Sequence, residues 1–166
     1  VAIQCYFADV DAKSGIAMER WVHVAHTYEK GDSRVYVDGV LDGTATKTLS
    51  TTLSHFRIGM RGNNISRQFE GNIDEVRIWD TELTEAQIRA NMCRRVQSSD
   101  ALYSNLVNYY SFNQFQGSVL ADLFSTNDGT LTNMDATTDW ELSGSAVGDN
   151  SVYTYNSASS LSISGN

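Results

Sequence analysis

The chain has 166 residues, with 20 acidic and 12 basic groups, two cysteines and no proline. This length fits one domain of ordinary size with room for part of a neighbour. An average chain would carry about eight prolines at this length, so proline-rich linkers and polyproline ligands are excluded. The net charge of −8 argues against nucleic acid and anionic membrane as partners, and no apolar run approaches the roughly 20 residues of a membrane insertion.

In chain order, residues 1–10 alternate loosely and predict a strand. Trp21-Val-His-Val-Ala-His-Thr-Tyr28 alternates more clearly, is rich in β-branched and aromatic residues, and predicts a second. Residues 29–33 read as a turn cluster. Arg34–Val37 and Val40-Leu41 flank Asp38-Gly39, a strong hairpin signal because a type I′ turn needs positive φ at both central residues. Further strands are expected at 55–59 and 69–78, the latter with Val76 and Ile78 on one face and Glu75 and Arg77 on the other. A helix is expected over about residues 84–95, since Thr84 and Gln87 fit a capping box and Arg94-Arg95 suit the negative end of the dipole. Many short strands and one short helix predict an all-β sandwich.

All basic residues lie between Lys13 and Arg95. Residues 96–166 carry seven acids and no base. A charge step of this kind divides the chain into two expected units, 1–95 and 96–166. The acidic unit also holds Tyr109, Tyr110, Phe112, Phe115 and Trp140, too many aromatics for a disordered tail. It reads as short strands and turns, the start of a following module or a joining region. The abrupt ends suggest an excerpt of a longer polypeptide.

The ordered set Trp21–Tyr28, Val35-Tyr-Val-Asp-Gly39, Phe56-Arg-Ile-Gly59, Phe69–Asp80 and Leu83-Thr-Glu-Ala-Gln-Ile88 resembles the laminin-G-like, concanavalin-A-like jelly roll, pentraxins included. Against that pattern, residues 1–95 correspond to the late strands and terminal helix. Tyr109-Tyr-Ser-Phe112, Leu120-Ala-Asp-Leu123 and Asn127-Asp-Gly-Thr-Leu131 look like the opening of such a domain, as in tandem arrays of bacterial secreted proteins. Residues 140–153 resemble sequence joining modules of bacterial surface adhesins. The resemblance implies a non-catalytic adhesion or carbohydrate-recognition module of an exported or cell-surface protein, stabilised by calcium. Its partners would be a glycan or a surface protein and further domains of the same polypeptide. The alternative is an accessory or spacer module of a secreted hydrolase whose catalytic domain lies elsewhere.

No catalytic constellation is visible. Asp74 and Glu75 are adjacent, so on a strand they point to opposite faces and cannot serve one cleft as a glycosidase pair. Asp74 shares parity with Val76 and Ile78 and faces the apolar side or its rim, where a charge needs a partner. The resemblance implies that the matching aspartate helps hold a structural Ca²⁺ together with backbone oxygens; a hydrogen-bonded turn residue is the plainer reading. His23 and His26 fall on opposite faces and, with His55, are expected as ordinary core or surface histidines. Cys5 and Cys93 allow one disulfide or two free thiols. Trp21 and Trp79 are expected in the core or under the helix, with sugar stacking as the alternative. Asn64-Ile-Ser66 matches a glycosylation sequon. Asp32 and Asn127-Asp-Gly129 offer loop oxygens for turn chemistry, sugar or Ca²⁺.

Overall fold

The computed structural model describes residues 10–15, 19–46, 48, 56–59, 69–143 and 147, and the strand backbones at 2–3, 152–156 and 160–164. Its centre is an antiparallel sheet of β3 (Val24–Glu29), β4 (Asp32–Val37) and β5 (Val40–Thr46), in that order. Two-residue turns join these strands. Lys30-Gly31 has φ of 49° and 100°, and Asp38-Gly39 has 49° and 74°, the left-handed pair of a type I′ turn whose twist matches the strands it joins. The turn cluster expected over residues 29–33 therefore contracts to two residues, and Asp32 is strand rather than loop.

The β4–β5 ladder runs Val35↔Gly43 and then Tyr36↔Leu41, leaving Asp42 as the extra residue of a bulge. Both carboxylate oxygens of Asp42 accept the Ser14 amide, at 3.1 and 3.0 Å. That bond holds β2 (Val10–Asp11) against the sheet. Gly43 allows the approach, because a Cβ there would sit 2.2 Å from the Asp11 carbonyl oxygen. β2 pairs with β1 (Ala2–Ile3), so the single strand expected over 1–10 is replaced by two short paired ones.

The helix, α1, spans Glu85–Asn91 and carries the expected capping box: the Thr84 hydroxyl accepts the Gln87 amide and the Gln87 side chain accepts the Thr84 amide. It ends four residues before the expected end because the Asn91 and Arg94 carbonyls accept the Arg77 guanidinium, at 2.7 and 2.6 Å, instead of continuing the helical ladder. Leu83 and Ile88 pack on Tyr36 of β4, with Ala25, Trp79 and Leu102 around them. This is the apolar contact that seats the helix on the sheet.

β6 (Val76–Trp79) pairs antiparallel with β7 (Leu106–Tyr110), Val76 opposite Tyr110 and Arg77 opposite Tyr109. The ladder thus crosses residue 95, joining basic and acidic portions of the chain. Strand geometry begins only at Val76, not at residue 69, because Gly71 and Glu75 hold φ of 147° and 54°, which no strand accommodates. Residues 56–59 are likewise not strand; the Gly59 carbonyl instead accepts the Phe69 amide at 2.8 Å. In the acidic portion β8 (Val119–Leu120) pairs with β9 (Gly129–Thr130), and β10 (Val152–Asn156) with β11 (Ser160–Ser164). Antiparallel strands with one short helix are the all-β, jelly-roll-type organisation read from the motif order. Among the described residues no helix is long and apolar enough to cross a membrane.

Candidate functional site

The two faces of β6 have different fates. On one, Arg77 and Glu75 are each about nine-tenths buried and form an ion pair at 2.5 Å. Glu75 also accepts the Tyr109 hydroxyl at 2.7 Å, and the Arg77 guanidinium lies over the Tyr109 ring, 5.3 Å from its centroid. Burial first, then the bond to Glu75, push the Tyr109 hydroxyl well above its usual range. The guanidinium also supplies donors to the end of α1, so the charge serves as a buried cap rather than a solvated face. On the other face, Ile78 lines an open cleft.

The far wall of that cleft is held in place by Asp122, which is buried. It accepts hydrogen bonds from the Tyr109 and Phe124 amides, both at 3.0 Å, from Asn108 Nδ2 at 2.6 Å and from Ser125 Oγ at 2.5 Å. Burial acts to raise the Asp122 carboxyl, but these four donors outweigh it and hold it well below the usual carboxylate range. The Asp122 amide in turn donates to Asp128, and the Tyr110 hydroxyl donates to the Asn127 carbonyl at 2.7 Å. The loop 122–128 is thereby clamped to β7, and Asn127-Asp-Gly129 sits on the cleft lining.

The cleft encloses about 800 Å³. Its lining includes Trp21, Phe56, Phe69, Phe112, Phe115 and Trp140, with the rings of Phe112 and Trp140 6.5 Å apart. Phe56 and Phe69 are more than half exposed, and Phe115 is half exposed, an unusual state for phenylalanines gathered around one concavity. Amide and carboxylate side chains share the lining, and Asn72 Nδ2 donates to Glu141 Oε2 at 3.0 Å, joining segments 69 positions apart. Apolar walls with a few placed polar groups are the usual make-up of a small-molecule site.

Of the residues singled out in the sequence, Asp74, Trp21 and Asn127-Asp-Gly129 meet at this cleft. Asp74 Oδ1 accepts the Glu75 amide at 2.9 Å, the turn bond of the plainer reading. Trp21 lies on the cleft rather than in the core, and Trp79 packs on the core beside α1. His23 lies close to Asp38, and His26 Nε2 meets Ser33 Oγ at 2.7 Å. Asp32 pairs with Arg34 at 3.3 Å, away from the cleft. Cys93 is an exposed free thiol; Cys5, His55 and the 64–66 sequon fall outside the described residues. For Ca²⁺, no three His, Cys, Asp or Glu side chains gather among the described residues. A shell at Asp74 would therefore draw mainly on main-chain or side-chain amide oxygens around it.

Sequence reasoning did not single out Phe112, Phe115 or Trp140 as site residues. The available signal was their place in a Gly-, Asn- and Ser-rich stretch, where aromatics have no regular core face to occupy.

No curated protein matches the chain. It resembles the crystal structure of a "putative carbohydrate binding protein" from Bacteroides ovatus with a TM-score of 0.56 and 24% identity. The match covers 72% of this chain and 39% of the other, so the chain spans well under half the length of that neighbour. At this identity the likeness is one of fold. Residues 4–89 match the Laminin_G_3 family, and the chain belongs to the concanavalin A-like lectin/glucanases superfamily.

Proposed function

We propose that this chain is a non-catalytic carbohydrate-binding module of an exported or cell-surface protein, serving adhesion. The observation that carries the reading is the 800 Å³ cleft lined by aromatic rings together with hydrogen-bonding side chains. A pyranose ring offers an apolar C–H face that stacks on such rings, and hydroxyls that exchange hydrogen bonds with amides and carboxylates. The carbohydrate-binding description of the fold neighbour agrees with it.

The carboxylates of the cleft are already employed as acceptors. Asp128 takes the Asp122 amide, Asp139 the Asp135 amide and Glu141 the Asn72 side chain. Glu75 is turned away into the pair with Arg77. A general acid would need a proton-bearing carboxyl aimed at a glycosidic oxygen and a second one facing it, so this pattern favours binding over hydrolysis. Calcium held partly by Asp74 belongs to the same reading. Calorimetric titration tests it, and an equal Ca²⁺ response in the wild type and Asp74→Ala would remove it. For the module as a whole, glycan-array binding is expected and should fall at least about tenfold in Trp21→Ala, with a thermal melt run alongside because Trp21 is only 36% exposed and its buried part contributes to folding. Absence of glycan binding would leave a structural repeat in its place.

A further inference from the structure

We propose that the wall formed by residues 112–117 and 134–141 is a stacking platform for uncharged pyranose chains, and that it discriminates against anionic glycans. This rests on the carbohydrate-binding reading and gives it a ligand class. Two phenylalanines of the wall, Phe112 and Phe115, have φ of 54° and 62°, a conformation that costs on the order of 1 kcal/mol or more for a bulky L-residue and persists only where its surroundings enforce it. The enforcement is visible. Trp140 Nε1 donates to the Gly117 carbonyl at 3.0 Å, the Gly117 amide donates to the Ala136 carbonyl at 2.8 Å, and the rings of Phe112 and Trp140 lie 6.5 Å apart.

This strain does not serve core packing, since Phe115 remains half exposed on the cleft. A left-handed backbone position filled by glycine would carry no steric strain, so a phenylalanine held there and shown to solvent fits a ligand contact. The charge of the wall sets the class of ligand. Asp139 and Glu141 belong to it, and Asp74 and Asp128 line the same cleft, against Arg57 as the one cation on the cleft among the described residues; the sequence from residue 96 onward contains no lysine or arginine. A uronate or sulfate seated on this platform would meet like charge with no cation from the wall, a repulsion that specific sites use to reject wrong ligands. A neutral pyranose meets hydroxyl acceptors instead.

The test uses the chain as it stands on an array of neutral, uronic-acid and sulfated oligosaccharides, alongside thermal melting. Neutral glycans should bind, and anionic ones should bind at least about tenfold more weakly, with the gap narrowing as salt screens it. Phe115→Gly should lose about tenfold or more for neutral glycans while keeping a cooperative melt, because relief of the left-handed strain offsets part of the contact that the half-buried ring gives up. The double change Asp139→Asn with Glu141→Gln should narrow the difference between neutral and anionic glycans. Anionic glycans binding as tightly as neutral ones, or Phe115→Gly binding like the wild type, would overturn the proposal while leaving carbohydrate recognition intact. No binding to any glycan would overturn both.

Discussion

Asp122 is the side chain on which the far wall of the cleft depends, and its removal gives a calculable loss. In Asp122→Ala the buried Tyr109 amide loses its acceptor, and the buried Asn108 side-chain amide keeps only its longer bond to Ser125 Oγ, at 3.2 Å. An unsatisfied buried donor costs about 1–3 kcal/mol, and the weakened bonding of Asn108 adds up to about 1 kcal/mol, so the change costs roughly 2–4 kcal/mol. Ser125 can rotate its hydroxyl and Phe124 is nearer to solvent, so they add little. A domain of this size has on the order of 5–15 kcal/mol of stability, and the loss corresponds to a fall in Tm of roughly 4–16 °C. Asp122→Asn should cost less, about 1–2 kcal/mol, since its carbonyl still serves the Tyr109 and Phe124 amides while its NH₂ opposes that of Asn108. The pH dependence follows from the depressed carboxyl. A group depressed in the folded state contributes stability that is present above its unfolded value, about 4, and is lost as pH falls toward the folded one. The stability gap between the wild type and Asp122→Asn should therefore be full at pH 6–7 and shrink below about pH 4. Urea and thermal unfolding followed by circular dichroism measure all of this. A cost for Asp122→Ala below about 1 kcal/mol, or a gap that does not change in acid, would refute the reasoning.

Other perturbations test the remaining contacts. Arg77→Met should cost about 3–5 kcal/mol in urea unfolding, because it strands the buried Glu75 carboxylate and the carbonyls at the end of α1; adding Glu75→Gln should recover part of it. Burial holds both His23 and His26 below the ordinary imidazole value, with Arg77 adding to the effect at His23 and Asp38 opposing it. The unfolded chain then takes up protons first, so stability should decline as pH falls below about 6.5, and His23→Gln should flatten that slope in melts across pH 5–8. Gly43→Ala should cost about 1–3 kcal/mol, since its methyl would collide with the Asp11 carbonyl; a melt unchanged from wild type would mean that β2 does not hold that position.

Local chemistry made much of this protein legible from its residues. Asp38-Gly39 and Thr84 with Gln87 specify a turn and a cap through bonds that span two to four residues, and both stand where the pattern put them. The order of the strands around them sufficed for the family. Alternation told correctly that Arg77 leaves the cleft face of β6, but not that it and Glu75 are buried, because the helix end and Tyr109 that enclose them come from 14 to 34 residues further on. The cleft is the extreme case. Trp21, Phe69, Phe115 and Trp140 are separated by up to 119 positions and share no periodicity; only the antiparallel pairing of β6 with β7, and the clamp at Asp122, bring their rings around one space. The sequence by itself thus determined the elements, which rest on near-neighbour hydrogen bonds and side-chain alternation. Tertiary structure alone decided the site, since a concave surface is a property of how distant segments pack and no short stretch of chain encodes it.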